Sequence, residues 1–384
     1  MVVKCRIVVG GEGARRAREG GTIIFNKWVR KVEGSPSPGD LVEVVDDRGE
    51  IIGYGLYEEI GPTAIRMMFH YEHALDLWEA LVMRFERALG KRKITKYYET
   101  GFYRLINSDG DMMPGLIVDV YNDIAVIQSS SQAFDTILES IVDALLEVLG
   151  GELAVYNKSV QRSRRDIGLP LVSGFLKGSK GGTVIREGGA LFYVDVVKGQ
   201  KTGFFLDQRE NRIEIESLVE ANSRILDIFS YTGGFGIHAF IGGGREVVFI
   251  EEDPHAINIL KKNLKLNGAE GKVIEGDAWG ALRNLISSGE LFDVVIVDPP
   301  AFIQSKENYA KGIQAYQYIY KYSLKLLKPG GLVFLSSCSY FLGRKEFVKL
   351  IHRVLTDLGR EYSFLGSIRG CAKDHTQHAP STYL

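Results

Sequence analysis

The sequence predicts a doubly wound α/β domain in the C-terminal half, preceded by a small β-barrel and a small α+β unit. From about residue 190, short apolar strands alternate with helical segments, the pattern of a parallel sheet covered on both faces. Before that point, a hairpin signature is followed by an amphipathic helix and another strand. The first seventy or so residues are β-branched runs broken by glycine and turn residues. At 384 residues the chain is too long for one core, and 45% hydrophobic with 25% charged residues describes an ordinary soluble globular protein.

The same bulk features exclude several classes. No apolar run reaches the length of a membrane span, and Met1 to Gly11 lacks the basic-then-apolar pattern of a signal peptide. The cysteines, Cys5, Cys338 and Cys371, are too scattered for a disulfide framework or a CxxC zinc pair. A cytoplasmic setting with reduced thiols and no metal is expected. A formal net charge of -1 means that a nucleic-acid partner would have to be met by a local basic surface.

In residues 1–72, Val2 to Val9 reads as a strand and Gly13 to Glu19 as a short helix. Leu41 to Val45 and Ile51 to Leu56 pair across the turn Asp46-Asp47-Arg48-Gly49, with Gly53 and Gly55 where side chains would crowd. Residues 73–182 form the α+β unit. A helix over 74–90 ends at Gly90, and Leu116–Tyr121 and Ile124–Ile127 flank Asn122-Asp123 as a hairpin. Phe134 to Leu149 is an amphipathic helix stopped by Gly150, Leu153 to Tyr156 is a strand, and Leu176 to Gly182 is a flexible basic connection.

Residues 183–384 carry the strands Ile225–Phe229, Val247–Ile250, Val273–Glu275, Val294–Val297 and Gly331–Leu335. Helices are expected around 237–240, 256–266, 281–286 and 316–327. In such sheets ligands sit at the carboxyl ends of the strands. Asp227 lies near the end of the first of these and precedes Ser230-Tyr231-Thr232-Gly233-Gly234-Phe235-Gly236, a turn that offers bare backbone and a helix N-terminus to a ligand. Glu251 ends the second strand, where a carboxylate can accept ribose hydroxyls. Asp277-Ala278 follows the third, where the acid can take an adenine amino hydrogen and the backbone can address the ring. Asp298-Pro299-Pro300 closes the fourth. A nicotinamide enzyme would explain the glycines and Glu251, but not the full acidic series or the missing GxGxxG. The ammonium and sulfonium of S-adenosylmethionine suit acids that a pyrophosphate would repel. Read blandly, the acids are helix caps and surface turns.

Further stretches carry a resemblance. They are Lys201 to Arg212, Phe229 to Phe235, Asp298-Pro299-Pro300-Ala301-Phe302 and Ser336-Ser337-Cys338-Ser339, with Arg104-Leu105-Ile106 and Asp109 to Asp119 in the middle. The chain resembles the PUA-domain-containing 23S rRNA cytosine-5 methyltransferases, class I S-adenosylmethionine-dependent enzymes. The resemblance implies a PUA-like RNA-binding domain, carried by Gly39 to Val44 and Gly49 to Gly55, and a central α+β domain. A Rossmann-like catalytic domain follows, with Gln208 among the cofactor contacts and rRNA as partner. Where related methyltransferases carry Gly-His-Pro-Trp, this chain has Gly21-Thr22-Ile23-Ile24. Relatives also continue beyond Leu384 into a last strand.

Cytosine C5 is a poor nucleophile until a thiolate adds to C6. Cys338, just after the last predicted strand, is placed to supply that thiolate, a buried structural cysteine being the bland alternative. The resemblance implies the nucleophile role. Asp298 is assigned to the base's polar edge, and the acceptor of the C5 proton stays open. Phe302 could stack on a base or pack on the core. Cys5 and Cys371 read as structural, and His375 and His378, beside Asp374, touch substrate or close the last loop. Arg162, Arg164, Arg165, Lys177, Lys180, Lys198 and Lys201 are candidate phosphate contacts. N-methylation of guanine or adenine is the rival chemistry, weakened by Ala301 between Asp-Pro-Pro and the aromatic. A vestigial, non-catalytic RNA binder is the rival class. A homodimer is compatible with the sequence.

Overall fold

The computed structural model describes residues 5–70, 76–366 and 369–378. The chain divides into two compact units. Among the described residues, the first takes everything up to Thr183, with Asp195–Leu206 and the tail from Lys373. The second takes Val184–Val194 and Asp207–Ala372.

The first unit opens with β1 (Arg6–Val9), α1 (Gly11–Arg18), β2 (Ile23–Phe25), β3 (Val29–Glu33), β4 (Leu41–Asp46), β5 (Ile51–Tyr57) and β6 (Thr63–His70). They form a six-stranded sheet in the order β2-β6-β5-β4-β1-β3. The β4–β5 turn closes on Asp46, whose Oδ1 accepts from the amides of Arg48 at 2.8 Å and Glu50 at 2.9 Å. Gly53 is forced by its neighbour strand, since a Cβ there would lie 2.0 Å from the Phe69 carbonyl oxygen. β6, which the sequence reading did not find, is therefore what makes this glycine necessary. Of the strand expected over Val2 to Val9, the part before Cys5 lies outside the described residues.

Next come α2 (Leu77–Ile94), β7 (Phe102–Asn107), β8 (Leu116–Tyr121), β9 (Ile124–Ser129), α3 (Gln132–Thr136), α4 (Leu138–Leu149), β10 (Ala154–Ser159), α5 (Arg162–Asp166) and β11 (Val172–Lys177). Their five strands lie in the order β11-β10-β9-β8-β7. The expected helix start at Ala74-Leu75, like the boundary at residue 72, lies outside the described residues. Asp76 caps α2 in a capping box with Glu79.

Gly90 does not end this helix. It lies inside it, because fully buried Arg92 carries the helix onward to reach Asp111 through two 2.7 Å contacts. The single helix expected over Phe134 to Leu149 is broken at Ile137 into α3 and α4. The connection expected over Leu176 to Gly182 is partly strand: β11 runs through Lys177, and Lys180 pairs with Asp123 at 2.6 Å. Tyr54, Leu56, Met68 and Phe69 of the six-stranded sheet share one hydrophobic core with Phe85 of α2 and Leu105, Val118, Ile127 and Phe134.

The second unit holds most of the hairpin β12 (Gly182–Glu187) and β13 (Ala190–Asp195). There follow α6 (Arg209–Leu218), β14 (Ser223–Ile228), α7 (Gly234–Ile241), β15 (Gly244–Glu251), α8 (Pro254–Leu266), β16 (Gly271–Glu275), α9 (Ala278–Ser287), β17 (Phe292–Val297), α10 (Tyr309–Lys325), β18 (Leu327–Leu335) and α11 (Arg344–Asp357). Strands β14 to β18 form an all-parallel sheet in the order β16-β15-β14-β17-β18. The chain builds outward from β14 to β16, then crosses to β17. That reversal opens a crevice at the carboxyl ends of β14 and β17, where ligands of such sheets bind. This is the predicted doubly wound α/β fold. Helices α6 and α11 and the β12–β13 hairpin went unread in the sequence.

Candidate functional site

Asp227, at the carboxyl end of β14, is 1% exposed. Its Oδ2 accepts from the Gly236 amide at 2.8 Å, while Oδ1 has no hydrogen-bond partner among the described residues. Burial, reinforced by the carboxylates of Asp298 and Glu251, pushes its pKa up to about 7. The loop that follows is tightly wound. Phe229 and Tyr231 adopt φ of 62° and 48°, and Gly233 φ of 86°, the left-handed region that non-glycine residues seldom enter. A Cβ on Gly236 would lie 2.3 Å from the Phe249 ring and 2.9 Å from Asp227 Oδ2. The hydroxyl of buried Thr232 is also without a partner among the described residues. Two unpartnered buried oxygens beside a bare-backbone turn call for a ligand with positive charge and hydrogen-bond donors.

Glu251, ending β15, ties this loop to the sheet. Its Oε2 accepts from the Tyr231 amide at 2.7 Å and its Oε1 from the amides of Glu252 at 3.0 Å and Asp253 at 2.9 Å. A carboxylate offers about four acceptor positions, so capacity for a hydroxyl remains. Ser230 donates its amide to the Ile250 carbonyl at 3.1 Å, and Asn263 Nδ2 donates to the Thr232 carbonyl at 2.9 Å. Asp277 caps α9 by accepting from the Gly280 amide at 2.8 Å through Oδ1, with Ala278 as the first helical residue. The bland reading of Asp277 as a cap is thus true of one oxygen. The other has no hydrogen bond among the described residues.

Asp298 follows β17 and is half-buried. Its Oδ1 accepts a short hydrogen bond from Ser336 Oγ. Burial lifts its pKa to about 6, and Asp207 pushes the same way. The turn after β18 is pinned at several points. The Ser336 amide donates to the Val297 carbonyl at 3.0 Å, and Tyr320 OH to the Ser336 carbonyl at 2.6 Å. Tyr316 OH bonds both serines flanking the cysteine, Ser337 at 3.0 Å and Ser339 at 2.7 Å. Between those serines Cys338 is exposed, with Sγ 3.6 Å from the Pro299 carbonyl oxygen. Cys338 and the Asp298-Pro299 turn therefore meet at one sheet edge. Phe302 is enclosed by Phe229, Trp279 and Tyr316 at centroid distances of 6.3, 5.9 and 4.8 Å, so it packs on the core.

Gln208 precedes α6 and accepts from Asn211 Nδ2 at 2.7 Å within its own helix. Its neighbours form a buried charge cluster that the sequence reading missed. Glu187 accepts from Arg212 Nη2 at 2.9 Å and contacts His238 Nε2 at 3.2 Å, and His238 Nδ1 lies 2.6 Å from Glu216. Burial alone would raise the Glu187 carboxyl; Arg212 and His238 override it and hold it well below the usual range. Arg212 packs so closely under the loop that a Cβ on Gly234 would lie 2.9 Å from its Cδ. The signal was available: Arg209 and Arg212 are charges on the inward stripe of an amphipathic helix.

A model of the S-adenosylmethionine-dependent methyltransferases matches residues 161–348, and a PUA-like domain model matches residues 7–69. A Methanocaldococcus jannaschii protein named as a ribosomal RNA large subunit methyltransferase is 37% identical over 322 residues, covering 82% of this chain and 79% of its own. The chain belongs to the ribosomal RNA large subunit methyltransferase family. Other members are ribosomal RNA large subunit methyltransferase I of Photobacterium profundum, 32% identical over 98% of this chain and 95% of its own, and of Shewanella amazonensis, 33% identical over 92% and 90%. A methyltransferase solved in complex with SAH has the same fold, with a TM-score of 0.80 at 21% identity over 99% of this chain and 97% of that one. As a family member the chain uses S-adenosylmethionine. The unpartnered oxygens of Asp227 and Thr232 fit its cationic methionine end.

The remaining expected contacts divide. Arg164 is fully buried, bonded to the Ser129 carbonyl and paired with Asp135 at 2.7 Å, so it does not present itself to phosphate. Arg162, Arg165, Lys177, Lys198 and Lys201 are exposed residues of the first unit. Asp374 accepts from the Arg104 amide at 2.9 Å and pairs with His375, which builds the tail into that unit. Among the described residues no cluster of side chains is arranged to hold a metal, and no helix is long and apolar enough to cross a membrane.

Proposed function

We propose that this chain methylates C5 of a cytosine in ribosomal RNA, with Cys338 as the nucleophile. The observation that carries the reading is an exposed thiol on a turn pinned by flanking serines, 3.6 Å from the carbonyl of the Asp-Pro-Pro turn. The cofactor supplies an electrophilic methyl group. The Cys338 thiolate adds to C6, and the displaced electron pair makes C5 able to take that methyl. Loss of the C5 proton then restores the C5–C6 double bond and expels the thiolate. Asp298, held by Ser336, is the group for the base's polar edge. Asp227, Ser230, Tyr231, Thr232, Gly233 and Gly234 take the methionine end of the cofactor, Glu251 the ribose, Asp277 and Ala278 the adenine, and Gln208 completes the pocket. Residues 1–72 serve RNA binding, 73–182 are the central α+β domain, and 183–384 carry the methyltransferase, Asp195–Leu206 and the tail from Lys373 belonging to the first compact unit.

Cys338→Ala should keep its fold and its cofactor affinity yet lose nearly all turnover, whereas Cys5→Ala and Cys371→Ala stay active. RNA carrying 5-fluorocytosine should trap the wild-type enzyme, since fluorine cannot leave C5 as a proton. Mass spectrometry of the digested adduct should place the link on Cys338. A folded, fully active Cys338→Ala enzyme would sink the covalent mechanism and leave a nitrogen-directed site centred on Asp298.

A further inference from the structure

The turn that carries Cys338 presents a second side chain outward. Ser336 and Ser339 are buried, and Leu342, 4% exposed, sits in the core of the second unit. Ser339 Oγ accepts from the Ile303 amide at 3.1 Å, and the Leu342 amide donates to the Ser339 carbonyl at 3.0 Å. On this anchored backbone Tyr340 is 77% exposed, more than any other aromatic side chain among the exposed hydrophobics. Its one ring contact among the described residues is with Phe341, at 5.3 Å and 86°.

We propose that Tyr340 is a substrate contact whose ring stacks on the nucleobase beside the one presented to Cys338. The proposal rests on the reading that Cys338 faces an RNA nucleotide. An aromatic side chain offers roughly 150–250 Å² for burial, and here most of the ring stays in water, two residues from the nucleophile. A nucleobase is the partner that such a ring fits, because every base has a π-face and stacking is tolerant of sequence. Drawing one base out of its stack strips a face from its neighbour, which a ring on an anchored backbone can cover. Pinning by Ser339 and Leu342 means that the backbone carrying the ring is ordered before RNA arrives.

The test uses full-length protein in a Cys338→Ala background, which stops turnover. The probe is a single-stranded cytidine RNA with one 2-aminopurine, whose fluorescence falls on stacking. The parent should quench the probe. Adding Tyr340→Ala should weaken binding roughly 5- to 150-fold, equivalent to about 1–3 kcal/mol of stacking, and abolish the quenching. Tyr340→Phe should preserve both, and S-adenosylmethionine affinity should not change in either. Equal binding and quenching by the alanine variant overturns the proposal, as does an alanine variant that dissociates a dimer while holding RNA unchanged. Failure of the 5-fluorocytosine trap with stacking intact would sink only the Cys338 chemistry. A lost stacking effect with the trap intact would sink only the role of Tyr340.

Discussion

Asp227 shows how one side chain can be costly to the fold and necessary to the site. Its carboxyl holds a proton up to about pH 7 when folded, against an ordinary value of 3.8. Between those values the native state binds more protons than the unfolded chain, so the stability of the ligand-free protein falls as pH rises from about 4 to 7, by a few kcal/mol in order of magnitude. A cationic ligand prefers the ionised form, so cofactor affinity should rise across the upper part of that range and then level off. Asp227→Asn keeps an acceptor for the Gly236 amide but removes the charge. At pH 8 the ligand-free variant should melt above the wild type, and its Tm should lose the wild-type slope between pH 5.5 and 8. Its affinity for S-adenosylmethionine should fall by roughly ten- to a hundredfold, the scale of a charged hydrogen bond. Calorimetry and thermal melts on both proteins check this; equal affinity would remove Asp227 from the pocket. That Asp227 stands at a strand end before a glycine turn was legible in sequence. Its unpartnered oxygen was not, because it depends on what α7 and the neighbouring strands leave unfilled.

The elements of the second unit were legible to within a few residues wherever local pattern and tertiary demand agree. β15 and β17 carry the continuous apolar runs Val247–Ile250 and Val294–Val297, as strands buried on both faces must. Where the two disagree, the packing decides. Gly90 reads as a helix stop, yet the buried Arg92–Asp111 pair draws α2 onward to Ile94. Its backbone is helical and a Cβ would meet nothing within 4 Å, so Gly90→Ala should stabilise the protein by about 0.5–1 kcal/mol in denaturant melts. Gly236 gives the opposite sign. Its Cβ would collide with Phe249 inside a close-packed helix–strand contact, and overpacking of this kind costs about 1–3 kcal/mol. Gly236→Ala should lower Tm and weaken the cofactor together, because the same residue donates to Asp227. An unchanged midpoint for Gly236→Ala would mean that α7 can slide away from the sheet at little cost. The charge cluster around α6 escaped sequence reading for a related reason: Arg212 and Glu216 lie on α6, but their partners Glu187 and His238 come from β12 and α7.

For the molecule as a whole, a net charge of -1 leaves attraction to a polyanion to local surface. On α1, beside the six-stranded sheet, the cations are already spent: Arg15 and Arg16 pair with Glu12, Arg15 also with Glu19, and Arg18 with Asp46 and Glu50. Lys27 and Arg30, on either side of Trp28, are exposed and enter no ion pair among the described residues. Under the proposed RNA-binding role, these two cations flanking Trp28 are the ones to test. Deleting those residues is a poor test, because Tyr54, Leu56, Met68 and Phe69 belong to the same core as Phe85 and Phe134, and their loss would open the whole first unit. A charge reversal leaves that core intact. Lys27→Glu combined with Arg30→Glu should weaken binding to unmodified large-subunit rRNA and flatten the dependence of log K on log salt by roughly one to two, about one per lost phosphate contact. S-adenosylmethionine affinity should stay at its wild-type value and Tm close to it, since both side chains are exposed and lie in the first unit. The comparison has to be made across a salt series, because two proteins can coincide at one ionic strength and differ in slope. Identical slopes for wild type and variant would show that the six-stranded sheet takes no part in holding the RNA backbone through this face.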